Sequence, residues 1–503
     1  MESDSQYSLL VGMAYLFNTM FGTGILALPR AFASGGWLVS TVTLLSSIAL
    51  SYVTVTFLIE AIACACGKTA GSEETGEGKE RITPADMVME DIAMADKNAG
   101  ADEWKERKAL IEKEPDGCVC CRSGSESDLC PSVFDINKTI SLTDLTAMYF
   151  NPVGDILSRI VLLLSIWGSL TMYLTMVPFS LTNLLCKPET DCDKLGNFSS
   201  IPDEALCWGP LTKISVYRIF LTLFILLVGP FVFFSVQKNK YIQVFASIMS
   251  FVVFSIMFVT SVVILARGRG RGTPILADFN AFPSVFGACS VAAVSHTVLP
   301  TVVPLIRNKT HLGQGVLVVF ATVTLLYLTL CLFVVFVFPE KDIQAVILVN
   351  FATCSIVPVV FVIYILGLYT TVKVSANFPV NGVTLSDNLK SMFAGFQCSH
   401  AWPVDRLLFP LAVIAPPLAI SYGTHNIEMI VGITGSYTVN LIQYVTPSAL
   451  VYLSRKEARA RFGEDVLIKH ASPFQHGFWI ILALLYAAVG LVVSTVFYVK
   501  SLA

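Results

Sequence analysis

Residues Asn18 to Trp37 read NTMFGTGILALPRAFASGGW. The stretch lies inside an apolar run long enough to span a bilayer, yet its middle is Phe21-Gly22-Thr23-Gly24 and a proline follows at Pro29. An unpaired backbone amide in hydrocarbon costs several kcal/mol, roughly, so a membrane helix is interrupted at mid-depth only where protein or a water-filled cavity supports the freed groups. Glycine permits dihedrals that other residues avoid, and its missing side chain uncovers amides. A half-helix starting near Ile25 would aim its positive dipole end into such a cavity, where a carboxylate could bind. Gly22, Thr23, Gly24 and Ile25 are read on this basis as a substrate-binding break. The competing reading is that the two glycines allow neighbouring helices to pack closely.

The rest of the chain sets the class. Of 503 residues, 54% are hydrophobic and only 14% charged, too few charges for a soluble protein of this size. Apolar runs of about 20 residues recur, the length a helix needs to cross hydrocarbon. They do not alternate every second residue, as barrel strands would. The fold class expected is all-α, a polytopic membrane protein of about eleven spans near residues 7–33, 37–63, 153–185, 216–236, 241–266, 283–306, 313–338, 354–380, 406–420, 428–453 and 477–499. The start carries no basic segment and cleavage site of a removable signal peptide, so the first span is expected to serve as the insertion signal. The net charge of −3 and the lack of a basic stripe suggest no nucleic-acid partner.

Lys and Arg near span ends orient the chain. QKNK (237–240), RNKTH (307–311) and SRKEARAR (454–461) fall on one side, expected to be cytosolic, while RGRGRG (267–272) falls opposite and violates the rule. This puts the N-terminus inside and the C-terminus outside or in a lumen. The domain reading is residues 1–66 as the first two spans, 67–152 as an acidic and largely disordered cytosolic loop, and 153–453 as spans three to ten, with a lumenal or extracellular loop at 186–213. Residues 454–476 form a cytosolic linker and 477–503 the last span. ERKALI (106–111) fits the acidic dileucine pattern read by sorting adaptors through Glu106, Leu110 and Ile111. Together with the habits of the family named below, it favours endosome or lysosome over plasma membrane. Cys186, Cys192 and Cys207 share the non-cytosolic loop, where oxidation is permitted; one disulfide is expected there, with Cys192–Cys207 the chosen pair. Of three glycosylation sequons, topology leaves only the one at Asn197 accessible. The cysteines of CVCCRSGSESDLC (118–130) lack the histidines and spacing of a zinc module and are read as reduced thiols, so no metal site is expected.

A second interrupted span reinforces the first. VFGACSVAAVSHTVLPTVVPLI, residues 285–306, carries Gly287, the polar pair Ser295-His296, then Pro300 and Pro304. Two broken spans five apart are the signature of two five-helix inverted repeats with a midplane site between the breaks. Ser295 and His296 join the expected substrate site. His296 either relays protons or contacts substrate, or it pins the broken helix by bonding freed carbonyls.

With these features in place, GTGILALPRAFASGGW resembles the first-span signature of the amino acid/auxin permease family, within the amino acid–polyamine–cation superfamily. SHTVLPTVVP (295–304), NFPV (377–380) and VGITGSYTVNLIQYVTPSALVYL (431–453) are similar to its sixth, eighth and tenth spans. CWGPL (207–211), VQKNKYIQ (236–243) and LADFN (276–280) resemble that family's orphan branch called transmembrane protein 104. The resemblance implies a five-plus-five inverted repeat with an eleventh helix and discontinuous helices 1 and 6. It also implies a small amino acid as substrate, sodium or protons as coupling ion, and no other cofactor. In sodium-coupled relatives an asparagine at the position of Asn18 ligates the ion with an eighth-span threonine, here Thr370 or Thr371. Lys373, one turn on, departs from that pattern: its ammonium either occupies the sodium position as a fixed cation or snorkels to the cytosolic surface. Arg30 stands where many relatives carry an aromatic lid, and is read as a gate residue or a contact for an acidic substrate. His425 and Glu428 face the same side and either complete that gate or are ordinary surface polarity. Glu60 could pair with a basic loop residue and is assigned no role.

Two functions follow as expectations: a secondary amino acid transporter working by alternating access, or an amino-acid-sensing receptor of the same fold that signals through its cytosolic loop. An enzyme is not expected, since the spans hold no paired carboxylates and no nucleophile–base pair.

Overall fold

A computed structural model describes residues 7–22, 24–74, 134–186, 202–233, 240–352, 360–393, 407–463 and 466–502. Thr23, Glu106, Leu110, Ile111, Cys192 and Asn197 lie outside them. The first span is two helices, α1 (Leu9–Met20) and α2 (Gly24–Gly35), bent by 44° to one another. Ser8 starts α1 by accepting the Val11 amide on its hydroxyl. The second span, α3 (Trp37–Glu74), is long and largely buried inside the protein. After it come α4 (Leu142–Tyr149), α5 (Pro152–Leu185), α6 (Lys213–Val228) and α7 (Lys240–Ala266). The sixth span is again divided, into α8 (Phe282–Ala293) and α9 (Leu299–Val302). Then follow α10 (Leu312–Val337), the short α11 (Leu348–Phe351), α12 (Val360–Phe393) and α13 (Phe409–Gly423).

The tenth span begins as α14 (Ile427–Thr434), passes through the wide turns Gly435–Val439 and Leu441–Val445, and ends as α15 (Thr446–Phe462). Pro447 has no amide and its ring crowds the preceding turn, so looser turns ahead of it relieve the clash. The peripheral α16 (Gly477–Leu502) closes the chain. Seven of these helices are long and apolar enough to cross a membrane, and the bent pair α1–α2 makes an eighth. The remaining apolar spans expected from the sequence are the ones shortened or interrupted: α8–α9, α13 and α14–α15.

The residues between the second and third spans do more than connect. Helix α3 continues to Glu74, and residues 134–149 fold against the helix ends. Phe134, Ile136, Ile140, Leu142 and Leu145 are buried there, and Ser141 and Asp144 form a capping box that starts α4.

On the opposite side of the helices, strands β1 (Leu206–Trp208) and β2 (Leu211–Thr212) make a small hairpin leading into α6. The disulfide expectation is corrected here. Cys207 bonds to Cys186, not Cys192. Cys186 terminates α5, its amide held by the Thr182 carbonyl at 2.8 Å, and the hairpin brings the two Cα atoms to 4.8 Å. A helix end placed beside a hairpin selects the pair, and spacing along the chain does not reveal that placement.

Candidate functional site

The two breaks face each other. At the first, the Phe21 amide bonds to Phe17 O at 2.7 Å and the Gly22 amide to Met20 O at 2.8 Å, closing α1; α2 then restarts at Gly24 in a new direction. The first-turn amides of α2, including Ile25, have no partner within their own helix. The two readings of the glycines divide between the residues. A Cβ on Gly24 would lie 2.7 Å from the Ala292 Cα, so Gly24 lets α2 seat directly on the last turn of α8. Gly22 meets only its own chain, at 3.2 Å from Thr19 O, and belongs to the break. The Met20 carbonyl, besides the Gly22 amide, accepts the Tyr327 hydroxyl of α10. Phe21 stacks between Phe17, Phe251 and Tyr327.

At the second break the chain leaves helix between Ala293 and Leu299. Ala293 O accepts the Ser51 hydroxyl of α3 at 2.8 Å, and Ser295 O accepts the Val298 and Leu299 amides at 3.2 and 3.1 Å. Thr54 Oγ1 and His296 Nε2 meet at 2.9 Å. Thr54 has one hydroxyl hydrogen, and the Leu50 and Ser51 carbonyls both lie 3.1 Å away. When that hydrogen goes to a carbonyl, Thr54 accepts from the ring, and a neutral imidazole is left with Nδ1 as an acceptor. His296 is thus fixed to the second span, and Ser51 rather than His296 takes a freed carbonyl. Ser51 and Thr54, three residues apart on one face of α3, were not anticipated; two hydroxyls at helical spacing in an apolar span are the signal that could have found them. Ser290 Oγ, Ser295 Oγ and His296 Nδ1 are buried without hydrogen-bond partners among the described residues.

Below the first break, Lys373 of α12 is fully buried and donates from Nζ to Asn18 Oδ1 of α1. It does not snorkel to a surface. Among the described residues it has no ion-pair partner, and Thr370 and Thr371 on the preceding turn also carry buried hydroxyls without partners. The structure therefore brings Asn18 and Lys373 together, with the two threonines on the neighbouring turn.

On the other side of the break from Lys373, Arg30 is held by contacts from two neighbouring segments. Its Nε lies 3.3 Å from Glu428 Oε2, and its Nη1 donates to the Glu340 carbonyl at 2.9 Å and to that of Ile343 at 3.3 Å. Glu428 also accepts from Ser34 at 3.4 Å. One guanidinium thereby ties α2 to α14 and to the loop before α11. His425 is not part of this contact; its Nε2 is 2.9 Å from Asp203 Oδ2 beside the hairpin. On the other side, Tyr7 and Ile306 pair as a parallel bridge, with the Tyr7 amide 2.7 Å from Leu305 O. It fastens the start of the first span to the end of the sixth. Glu60 finds Arg455 as its partner, at 2.8 Å through both carboxylate oxygens. No group of metal-ligating side chains occurs among the described residues.

Comparison with known proteins bears on the family and the fold. The family model described as transmembrane amino acid transporter protein matches residues 5–72, which contain the first break and most of α3. Human transmembrane protein 104 is 35% identical over 489 residues, covering 97% of this chain and 95% of its own. The chicken protein of that name is 33% identical over 493 residues, covering 96% and 95%. The homologue from Dictyostelium discoideum is 26% identical over 517 residues, covering 98% and 97%. Among solved structures, the crystal structure of MhsT in complex with L-phenylalanine superposes with a TM-score of 0.54 at 10% identity, covering 98% of this chain and 99% of that one. That likeness is one of fold.

Proposed function

Because this chain belongs to the transmembrane protein 104 family, we propose that it is a secondary transporter of a small amino acid, working by alternating access between the two broken spans. The observation that carries the reading is the closeness of the two interrupted spans: Gly24 seats on Ala292, just before α8 ends, and in the second break Ser295 Oγ and His296 Nδ1 have no hydrogen-bond partner among the described residues. A substrate carboxylate would take the amides of Gly24 and Ile25 at the positive end of α2. Its ammonium would donate to His296 Nδ1 and Ser295. MhsT, which shares the fold, was crystallised in complex with L-phenylalanine, and this supports the same class of ligand here.

Lys373 bears on the coupling ion. A buried ammonium beside Asn18 is a built-in cation at the point where sodium would sit in a sodium-coupled relative, and a second cation there would be repelled. We read transport as independent of sodium on this account, with Thr370 and Thr371 beside the lysine rather than around a metal. Arg30 and Glu428 form the outer gate, and the pairing of Tyr7 with the end of α9 belongs to the inner one. The disulfide supports an oxidising compartment on the side of the hairpin, with the N-terminus cytosolic.

The test is uptake of a panel of labelled amino acids into proteoliposomes, with sodium replaced by choline. Saturable uptake that is equal in both salts is expected. Uptake lost in choline would remove the fixed cation from the reading. Ligand-dependent thermal stabilisation without uptake would make the protein a receptor, and the absence of both would reject the site.

A further inference from the structure

At the opposite end of the protein from the Arg30 gate, a cavity of about 330 Å³ opens between α15, the end of α3 and the linker into α16. Its volume falls within the range of ligand pockets, about 300 to 1,000 Å³. One wall is made by Glu60 and Arg455, and every polar group there is engaged. The guanidinium meets both carboxylate oxygens and the Gln475 carbonyl, at 3.1 Å, and the Ser472 amide donates to Glu60 Oε2 at 2.8 Å. That wall is neutral as a unit. Arg459, one turn further along α15, also lines the cavity. It is exposed, and among the described residues its guanidinium has no carboxylate: Glu457, the nearest acid on its helix, is held by Lys68 at 2.8 Å on another face. The remaining wall is apolar, from Leu467, Ile468 and Ala471, and Leu467 is 82% exposed although it lies outside the spans.

Among the described residues, the cavity thus offers one positive charge without a carboxylate, facing an apolar ledge. Its rim includes Gln475, and four residues on, at the start of α16, stands Trp479, a residue type enriched at the headgroup level of a bilayer. We propose that this cavity binds a phosphate-bearing anion through Arg459, in the form of the headgroup of an anionic phospholipid whose upper chain rests on Leu467. A guanidinium matches phosphate with two parallel hydrogen bonds, and basic pockets beside membrane helices are suited to phosphorylated headgroups. The site is separate from the transport reading, since none of its residues borders the breaks.

The experiment uses the purified full-length chain and three probes: short-chain phosphatidylinositol phosphate, its water-soluble inositol phosphate headgroup, and short-chain phosphatidylcholine. Binding is read by native mass spectrometry and by thermal stabilisation. Saturable binding of the phosphorylated lipid is expected, weakened about tenfold in Arg459→Gln and retained in Arg461→Gln, which removes the same charge from the same helix end outside the cavity. Binding of the free headgroup as tight as that of the lipid keeps the phosphate site but overturns a lipid as its occupant, and Leu467→Asp then has no effect. Equal weakening by Arg459→Gln and Arg461→Gln, binding of phosphatidylcholine as tight as that of the phosphorylated lipid, or no saturable binding at all overturns the proposal.

Discussion

Lys373 donates a hydrogen bond to Asn18 across the interface of α12 and α1, with both side chains buried and no carboxylate paired to the ammonium among the described residues. The contact sits one helical turn before Gly22, so the amine of the eighth span is joined to the interrupted first span. A buried charge with a neutral partner is stabilised far less than one with a carboxylate.

Lys373 and Asn18 should therefore respond unequally to substitution. Lys373→Met removes the charge and preserves the length of the side chain, so its thermal midpoint should equal or exceed that of the native protein, while uptake falls tenfold or more. Asn18→Leu leaves the ammonium without its hydrogen bond and should lower stability by about 2–3 kcal/mol. Equal destabilisation by the two changes, measured by thermal unfolding in one detergent, would show that the pair is merely structural.

Gly24 tests the meeting of the breaks. Its missing Cβ would come within 2.7 Å of backbone at Ala292, and backbone cannot rotate away as a side chain can. Gly24→Ala should cost about 1–3 kcal/mol and widen the gap between α2 and α8. Cysteines introduced at Ile25 and Ala293 would report that widening through their cross-linking rate. An unaltered thermal midpoint and an unaltered rate would contradict the close seating.

The Glu60–Arg455 pair anchors the linker before α16. Glu60 is 2% exposed, so either single change strands a charge. Glu60→Leu or Arg455→Leu should each destabilise by about 3–5 kcal/mol. The double variant should recover much of that loss because no orphaned ion remains. A double variant as unstable as the sum of the singles would mean the two residues act independently.

The corrected disulfide is directly readable. Without reductant, a maleimide should modify neither Cys186 nor Cys207, and Cys207→Ser should expose Cys186 alone. Closing a 21-residue separation stabilises a chain by about 3 kcal/mol in the loop-entropy account. Cys207→Ser should lower the thermal midpoint accordingly, whereas Cys192→Ser should not disturb the pairing. Labelling of Cys207 in Cys192→Ser would restore the pair expected from the sequence.

How much of this was legible beforehand follows physical lines. The broken spans were readable because glycine, proline and paired polar residues have few uses at the middle of an apolar run. The distinction between Gly22 as part of the break and Gly24 as a packing surface was not, since it depends on Ala292, some 270 residues away along the chain. The helix Leu142–Tyr149 was overlooked for a different reason. Its apolar residues are too few to fold alone and are buried only because the ends of α3, α5 and α15 lie beneath them.

The amino-acid order by itself determined which segments enter the bilayer and where two of them are interrupted, because transfer of apolar side chains into hydrocarbon and the cost of bare amides there are local properties of a stretch of chain. Tertiary structure chose among the partners: Glu428 rather than His425 for Arg30, Arg455 for Glu60, Cys186 for Cys207, and Lys373 drawn inward to Asn18 rather than outward to water. Each of these pairings is a short-range contact between residues distant along the chain or confined to one loop. Such contacts are selected by how helices cross, which no single span encodes.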